Sequence, residues 1–490
     1  MVAKYQLLFA GILFKANFKL PQKYPIQNYK GSQVKSGNNF NKIAEWDEGA
    51  ARHLLARTLF GYNKQDVEFA LSITLDEFVD NYLLADQPEP TPPGLWVNDP
   101  LDENTTENTR ELIYWWYNNM LTQGYSLRER MVLFWHNHFV SEVTKVSLPQ
   151  RMYWQNKLFR DFAMGNVREL AKAVTIDPAM LIYLDGTRNR VGAPNENYAR
   201  ELMELFTLGI GNYTEEDIRE AARALTGWRV DGLTPYFTES RFDNGFKTIF
   251  GQTGNFNYID VVNIIFQQTA AATYICRGLY HEFMHVAHDE ESIAAMSQIL
   301  SENNFELKPV LSTLLKSVMF HTDEIRGAKI KGPVELMVGA MRQFSVATPD
   351  YPYMRTVAAQ TKQELFSPPN VSGWDGDKVW INTTTLPARH IFTDAVVNGR
   401  RPGGDDLTFQ LNLVEYARTF SSSEDAVQLI DDIAKIFLQY PLSENRREYL
   451  LNTLLDGAEV YDWSTNDPQA ENRLKLFFKA LMRLSEYQLS

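Results

Sequence analysis

The stretch Asn195-Glu-Asn-Tyr-Ala-Arg-Glu-Leu-Met-Glu-Leu-Phe-Thr-Leu208 carries the densest polar pattern of the chain. At the angular advance of a helix, Asn197, Arg200, Glu201 and Glu204 share one sector, while Ala199, Leu202, Leu205 and Phe206 fill much of the remaining circumference. A helix apolar over so wide an arc is buried, and charges on it need partners or line a cleft. Glu201 and Glu204, at i and i+3, have the spacing of an acid–base pair or of two metal ligands. The competing reading is structural, with Arg200 bridging the acids and holding a loop. Either way, the pattern predicts that all four are at least partly buried and joined to segment 229–256 or 366–387.

Two histidine motifs invite metal chemistry. In Trp135-His-Asn-His138, helical geometry points His136 and His138 to nearly opposite sides, so they cannot chelate one ion. His138 falls with Leu127, Met131, Phe134 and Trp135, as a core histidine bonded to a carbonyl or an acid; proton transfer is the sharper alternative. His281-Glu282-Phe-Met-His285, with His288 beyond it, fits the H-E-x-x-H of zinc peptidases. There, however, Ile275, Leu279, Phe283 and Val286 form the apolar side. The three histidines fall opposite, with Tyr274 and Arg277, as an exposed face. The expectation is that no catalytic zinc binds there, and no metal ligands are assigned elsewhere.

Asp243-x-Gly245-x-Lys247 and Pro368-Pro-Asn370-x-x-Gly373-Trp374 are loop signatures, and loops carry function disproportionately. Trp374 and Trp380 offer rings on which a ligand stacks; the plain alternative is that both loops pack over a helical core. The enzyme reading therefore gathers Glu201, Glu204, Asp243, Lys247 and His138 as catalytic groups. Its ligand contacts are Asn197, Arg200, Asn370, Trp374 and Trp380, and its cofactor is left open.

The elements that must hold these residues are mainly α-helical. Periodicity predicts helices at 107–122, 126–140, 153–164, 195–208, 214–226, several between 258 and 316, and 333–344. Thr214 and Asp217 have the spacing of a capping box. Two long irregular stretches interrupt the helices, 229–256 and 366–387. In the first, Tyr236-Phe-Thr and Phe246–Phe250 flank Asp243-Asn-Gly245, which suits a small β-hairpin or an ordered loop. Gly399-Arg-Arg-Pro-Gly-Gly404 reads as a linker, dividing a main helical domain (45–398) from a C-terminal helical section (408–490) packed upon it.

Length and composition frame these expectations. The 490 residues, 44% hydrophobic and 22% charged, are ordinary globular composition. The single cysteine, Cys276, excludes an internal disulfide framework and any cysteine-based metal cluster. Residues 1–44 hold seven lysines and no acid, so 48 basic residues less seven leave 41 against 61 acids in the remainder. That acidic body argues against nucleic acid as a partner. The basic leader reads as disordered. Its apolar run Leu7–Phe14 is too short to span a bilayer and lacks a convincing cleavage site, which leaves a cytoplasmic location open.

Several strings together resemble one family. They are Trp135-His-Asn-His-Phe139, Asn195–Gly209, Tyr213-Thr-Glu-Glu-Asp217 through Ala224-Leu-Thr-Gly-Trp228, Asp243-x-Gly-x-Lys-Thr248, Pro333-Val-Glu335, and Pro368-Pro-Asn-Val-Ser-Gly-Trp374 with Trp380-Ile-Asn382. The chain from about 47 to 490 resembles the bacterial family catalogued as domain of unknown function 1800. The resemblance implies a largely helical protein that is often exported or envelope-associated, with a sulfatase-like protein as a partner. Many relatives have His where this chain has Phe242, so a site needing that His is in doubt here. Two functional classes follow: a helical binding or assembly protein, and a hydrolytic or metal-assisted enzyme with an acidic cleft. A zinc peptidase through His281, Glu282 and His285 is the remote third.

Overall fold

The computed structural model describes residues 40–404 and 407–490, and the basic leader and its apolar run therefore lie outside the described residues apart from their last few positions. The described chain is mainly α, with 22 α-helices and two small two-stranded sheets. Local chemistry sets many of the boundaries. Asp47 caps the first helix, Glu48–Thr58, accepting from the Ala50 N–H at 2.8 Å. The Thr214–Asp217 capping box closes reciprocally, at 3.1 and 2.9 Å, and starts the helix Glu215–Ala224.

The centre of the core is aromatic. Trp116 on Thr105–Thr122, Trp135 on Arg128–His138 and Phe159 on Pro149–Asp161 are all fully buried. Glu129 is buried with them, and its carboxylate accepts both nitrogens of the Arg160 fork (2.7 and 2.8 Å) and the Trp116 indole (3.0 Å). Such a buried pair is tolerable because its lone pairs are filled. Helices Tyr258–Ile265, Thr269–Phe283, Glu290–Glu302 and Leu307–Lys316 follow as neighbours in sequence and partly in space. The C-terminal helices share the same apolar cluster, and Tyr487 donates its hydroxyl to Gln343 on Pro333–Gln343 at 2.7 Å.

In segment 229–256 Asp243-Asn-Gly245 is the ordered loop of the two alternatives, and the β-structure lies on either side of it. Two hairpins form: β1 (Trp228–Asp231) with β2 (Thr234–Phe237), and β3 (Lys247–Ile249) with β4 (Gln252–Gly254). Gly232-Leu233 and Phe250-Gly251 hold the turns; Phe250 and Gly251 both have positive φ, as a tight two-residue hairpin requires. Asp243-Asn-Gly245 is the connection between the hairpins. Among the described residues no helix is long and apolar enough to cross a membrane.

Candidate functional site

The motif helix begins as α-helix, Asn197–Glu201, and widens into a π-helix, Leu202–Thr207. The Leu208 and Gly209 N–H groups both reach back to the Met203 carbonyl, at 2.9 and 3.1 Å. A helix leaves its last carbonyls without donors of its own, and side chains from elsewhere supply them. The Tyr274 hydroxyl donates to Leu205 O (2.8 Å), His138 Nε2 bonds Phe206 O (2.7 Å), and Asn212 donates to Leu208 O (2.9 Å). His138 is thus a fully buried cap, packed among the rings of Phe134, Trp135, Phe139, Phe206 and Tyr274.

On the polar face, Arg200 joins Glu196 (3.1 Å) and Glu215 (2.8 Å), and Glu204 accepts the Tyr213 hydroxyl at 2.6 Å. The charge of Glu201 acts on Tyr183, which burial together with Glu142 and Glu201 pushes up to about 12. Arg200, Glu201 and Glu204 are half-buried; Asn197, in the opening turn, is exposed, contrary to expectation. The link to segment 229–256 runs through the preceding loop. Asn189 accepts the Asn195 N–H (2.9 Å) and donates to Ala222 O (2.8 Å), and the Val191 N–H meets Arg241 O (2.7 Å).

Asp243 and Lys247 form a second set. Arg223 grips both oxygens of Asp243 (2.8 and 3.2 Å), and that pairing holds its carboxyl below the usual range. Lys247 is fully buried: its ammonium donates to the carbonyls of Asp243 and Phe256 and to Asn255 Oδ1, over the Phe242 ring. Burial lowers its pKa, but its donors are filled. The candidate acids and base therefore fall into three sets: Glu201, whose charge acts with that of Glu142 on Tyr183; Glu204 with Tyr213; and Asp243 with Arg223 and Lys247.

The loop of Asn370 and Trp374 meets the Trp135–Phe139 motif. The Trp374 N–H donates to Asn137 Oδ1 at 2.8 Å, and its ring, 6% exposed, lies 5.6 Å from His136. Its flat face is covered, which corrects the expectation of an open stacking surface. Gly373 makes this approach possible. Its φ is 86°, and a Cβ there would stand 2.2 Å from Asn137 Oδ1. Asn370 is exposed and accepts the Ser372 N–H (2.8 Å), while Trp380 is half-buried against Gly332.

The H-E-x-x-H helix ends at Phe283, so His285 lies in a turn, its N–H on Tyr280 O at 3.2 Å. His288 is buried and His281 and His285 half-buried, which corrects the exposed histidine face: the following turn folds them back on the helix. Glu282 is engaged by Arg130 (2.8 Å) and Lys329 (3.8 Å); burial opposes its ionisation, yet these cations keep it below the ordinary range. Lys329 donates to the carbonyls of His281 and Glu282, both at 2.6 Å. Among the described residues no group of three His, Cys, Asp or Glu is placed to hold a metal ion.

Sequence reasoning missed three features. Arg130 bridges Glu282 and Glu335 (3.3 Å) inside the protein, and its signal was a cation beside the apolar residues of its helix. Tyr183 feels the charges of Glu142 and Glu201, which come from different segments, and no spacing reveals that. Asp177, raised to about 7 by burial, had only its place before Pro178 to mark it as a cap.

The model of a family described as protein of unknown function (DUF1800) matches residues 53–489. The chain belongs to this family. No curated protein and no solved structure matches it. In this DUF1800 protein the strings that carry the resemblance meet as packing partners: Asn137 with Trp374, His138 with Phe206, and Thr226 with the Asp243 N–H at 2.8 Å. Chemically, Asp243 is an ion-paired weak base, and Tyr183 is a phenol that burial and the charges of Glu142 and Glu201 keep protonated.

Proposed function

We propose that this protein is a helical binding or assembly protein, exported or envelope-associated, with a sulfatase-like protein as its partner. The location and partner rest on the family resemblance. The preference for binding over catalysis rests on one observation: Lys247, Asp243 and His138, three of the five catalytic groups of the enzyme reading, are filled by internal partners. A group that acts on substrate needs a free lone pair or proton within hydrogen-bond reach of it.

Co-expression with a sulfatase-like protein of the same cell, followed by size-exclusion chromatography with light scattering, tests the reading. A complex that survives Glu201→Gln is the expected result. Absence of a complex, together with ester, glycoside or phosphate hydrolysis abolished by Glu201→Gln, would establish the acidic-cleft enzyme instead. That alternative draws on the Tyr183, Glu142 and Glu201 neighbourhood.

A further inference from the structure

The histidines of the H-E-x-x-H motif crowd one turn. Helix Thr269–Phe283 ends, residues 284–289 cross over, and helix Glu290–Glu302 begins. The His281 and His288 rings meet edge-on, 5.7 Å apart, and the Tyr280 ring stands 6.1 Å from His288. His288 is 7% exposed, and neither of its ring nitrogens has a hydrogen-bond partner among the described residues. His285 closes the turn on itself, its Nδ1 accepting the Ala287 N–H at 2.8 Å. That bond needs a lone pair on Nδ1, and an imidazolium, with both nitrogens protonated, has none.

Burial disfavours a charge on these rings, and the cations beside them add to it. Burial, then Arg277 and His285, lower His288 to about 4; burial, then Lys329 and the other two histidines, hold His281 well below its ordinary 6.5. Arg57, on helix Glu48–Thr58, and Lys329 act on His285 in the same sense. The carboxylates nearby are committed elsewhere: Glu282 to Arg130 and Lys329, Glu290 to Arg277, and Asp289 to the N–H and hydroxyl of Ser292. None of the three is among the charges acting on His281 or His288. Asp377, on loop 366–387, favours a proton on His285.

We propose that the turn 284–289 is an acid-sensitive latch, shut while His281, His285 and His288 are neutral and opened by their protonation as pH falls below neutrality. A histidine that takes its proton less readily in the shut turn than in the open one favours opening as pH falls from 6.5 toward its lowered value. For His288 alone, with 6.5 open and about 4 shut, opening should become about twentyfold more frequent from pH 7 to pH 5. His281 multiplies that factor. The carbonyls of His281 and Glu282 at this helix end hold the buried Lys329 ammonium, so an open turn loosens the anchor of that cation as well.

Hydrogen exchange of the full chain, read by mass spectrometry at pH 7, 6 and 5 and corrected for intrinsic exchange rates, tests the latch. In the wild type the opening equilibrium of amides in 284–289 should rise about tenfold or more from pH 7 to pH 5, while helix Thr105–Thr122 keeps its protection. His288→Phe replaces the ring with one that takes no proton, and His288→Gln is a neutral substitute should Phe fail to pack. In whichever of the two melts cooperatively at pH 7, the rise should be about fivefold or more smaller than in the wild type. A wild-type rise below about tenfold, an equal rise in helix Thr105–Thr122, or an undiminished rise in the folded variant would overturn the inference.

Discussion

Asp177→Asn should stabilise the protein at alkaline pH and do progressively less in acid. Asp177 is buried, and its Oδ2 accepts the Met180 N–H at 2.9 Å and the Gln155 amide at 2.8 Å. Burial outweighs these bonds and raises its carboxyl from 3.8 to about 7. A carboxyl whose pKa is higher folded than unfolded binds more protons in the folded state between those values. Stability is therefore fully present below about pH 4 and lost as pH rises through about 7. About three pKa units correspond to roughly 4 kcal/mol, of which about 2–3 kcal/mol falls between pH 5 and 8. The amide avoids that loss and keeps the cap. Asn Oδ1 can accept the Met180 N–H. The Gln155 amide donates to that same oxygen, so Asn Oδ1 keeps this bond as well. With an unfolding entropy of roughly 1 kcal/mol/K for a chain of this length, Tm of the variant relative to wild type should climb by about 3 °C from pH 5 to pH 8. Differential scanning calorimetry in matched buffers reads this directly. A Tm difference that is the same at both pH values refutes the buried-carboxyl argument.

Gly373→Ala should destabilise by about 2 kcal/mol or more, because the added methyl meets Asn137 in a left-handed backbone, and thermal melts should show it. Arg200→Ala should cost only about 1 kcal/mol or less, since its partners Glu196 and Glu215 are solvent-reaching; a chemical denaturation midpoint close to wild type is the expected result. Arg130→Ala should cost about 3–5 kcal/mol by orphaning Glu335, visible as lost soluble yield or a deeply lowered Tm, while Arg130→Ala/Glu335→Gln should recover part of it.

The helices and many of their ends were legible because periodicity and capping are local: Thr214 and Asp217 bond as their spacing suggested. The π-turn was not legible, since nothing in Leu202–Thr207 distinguishes it from a continuing α-helix; side chains from other helices determine it. The hairpins were only half legible because two turn signals compete within one segment, and Asp243-Asn-Gly245 lost to its neighbours once Arg223 and Lys247 claimed Asp243. The candidate site suffered most. Helical phase placed Glu201 and Glu204 on one face, but sequence spacing cannot say which distant groups each one meets.

A wide turn inserts, in effect, one extra residue into a helix. Leu202–Thr207 is such a turn, and the carbonyls of Leu205 and Phe206 at its end are bonded by Tyr274 and His138, which belong to two other helices. Three helices are thereby pinned at one knot of backbone. Sliding the motif helix by a turn would have to break both pins together, whereas either neighbour is tied to it by one, so the motif helix behaves as the keystone of the three.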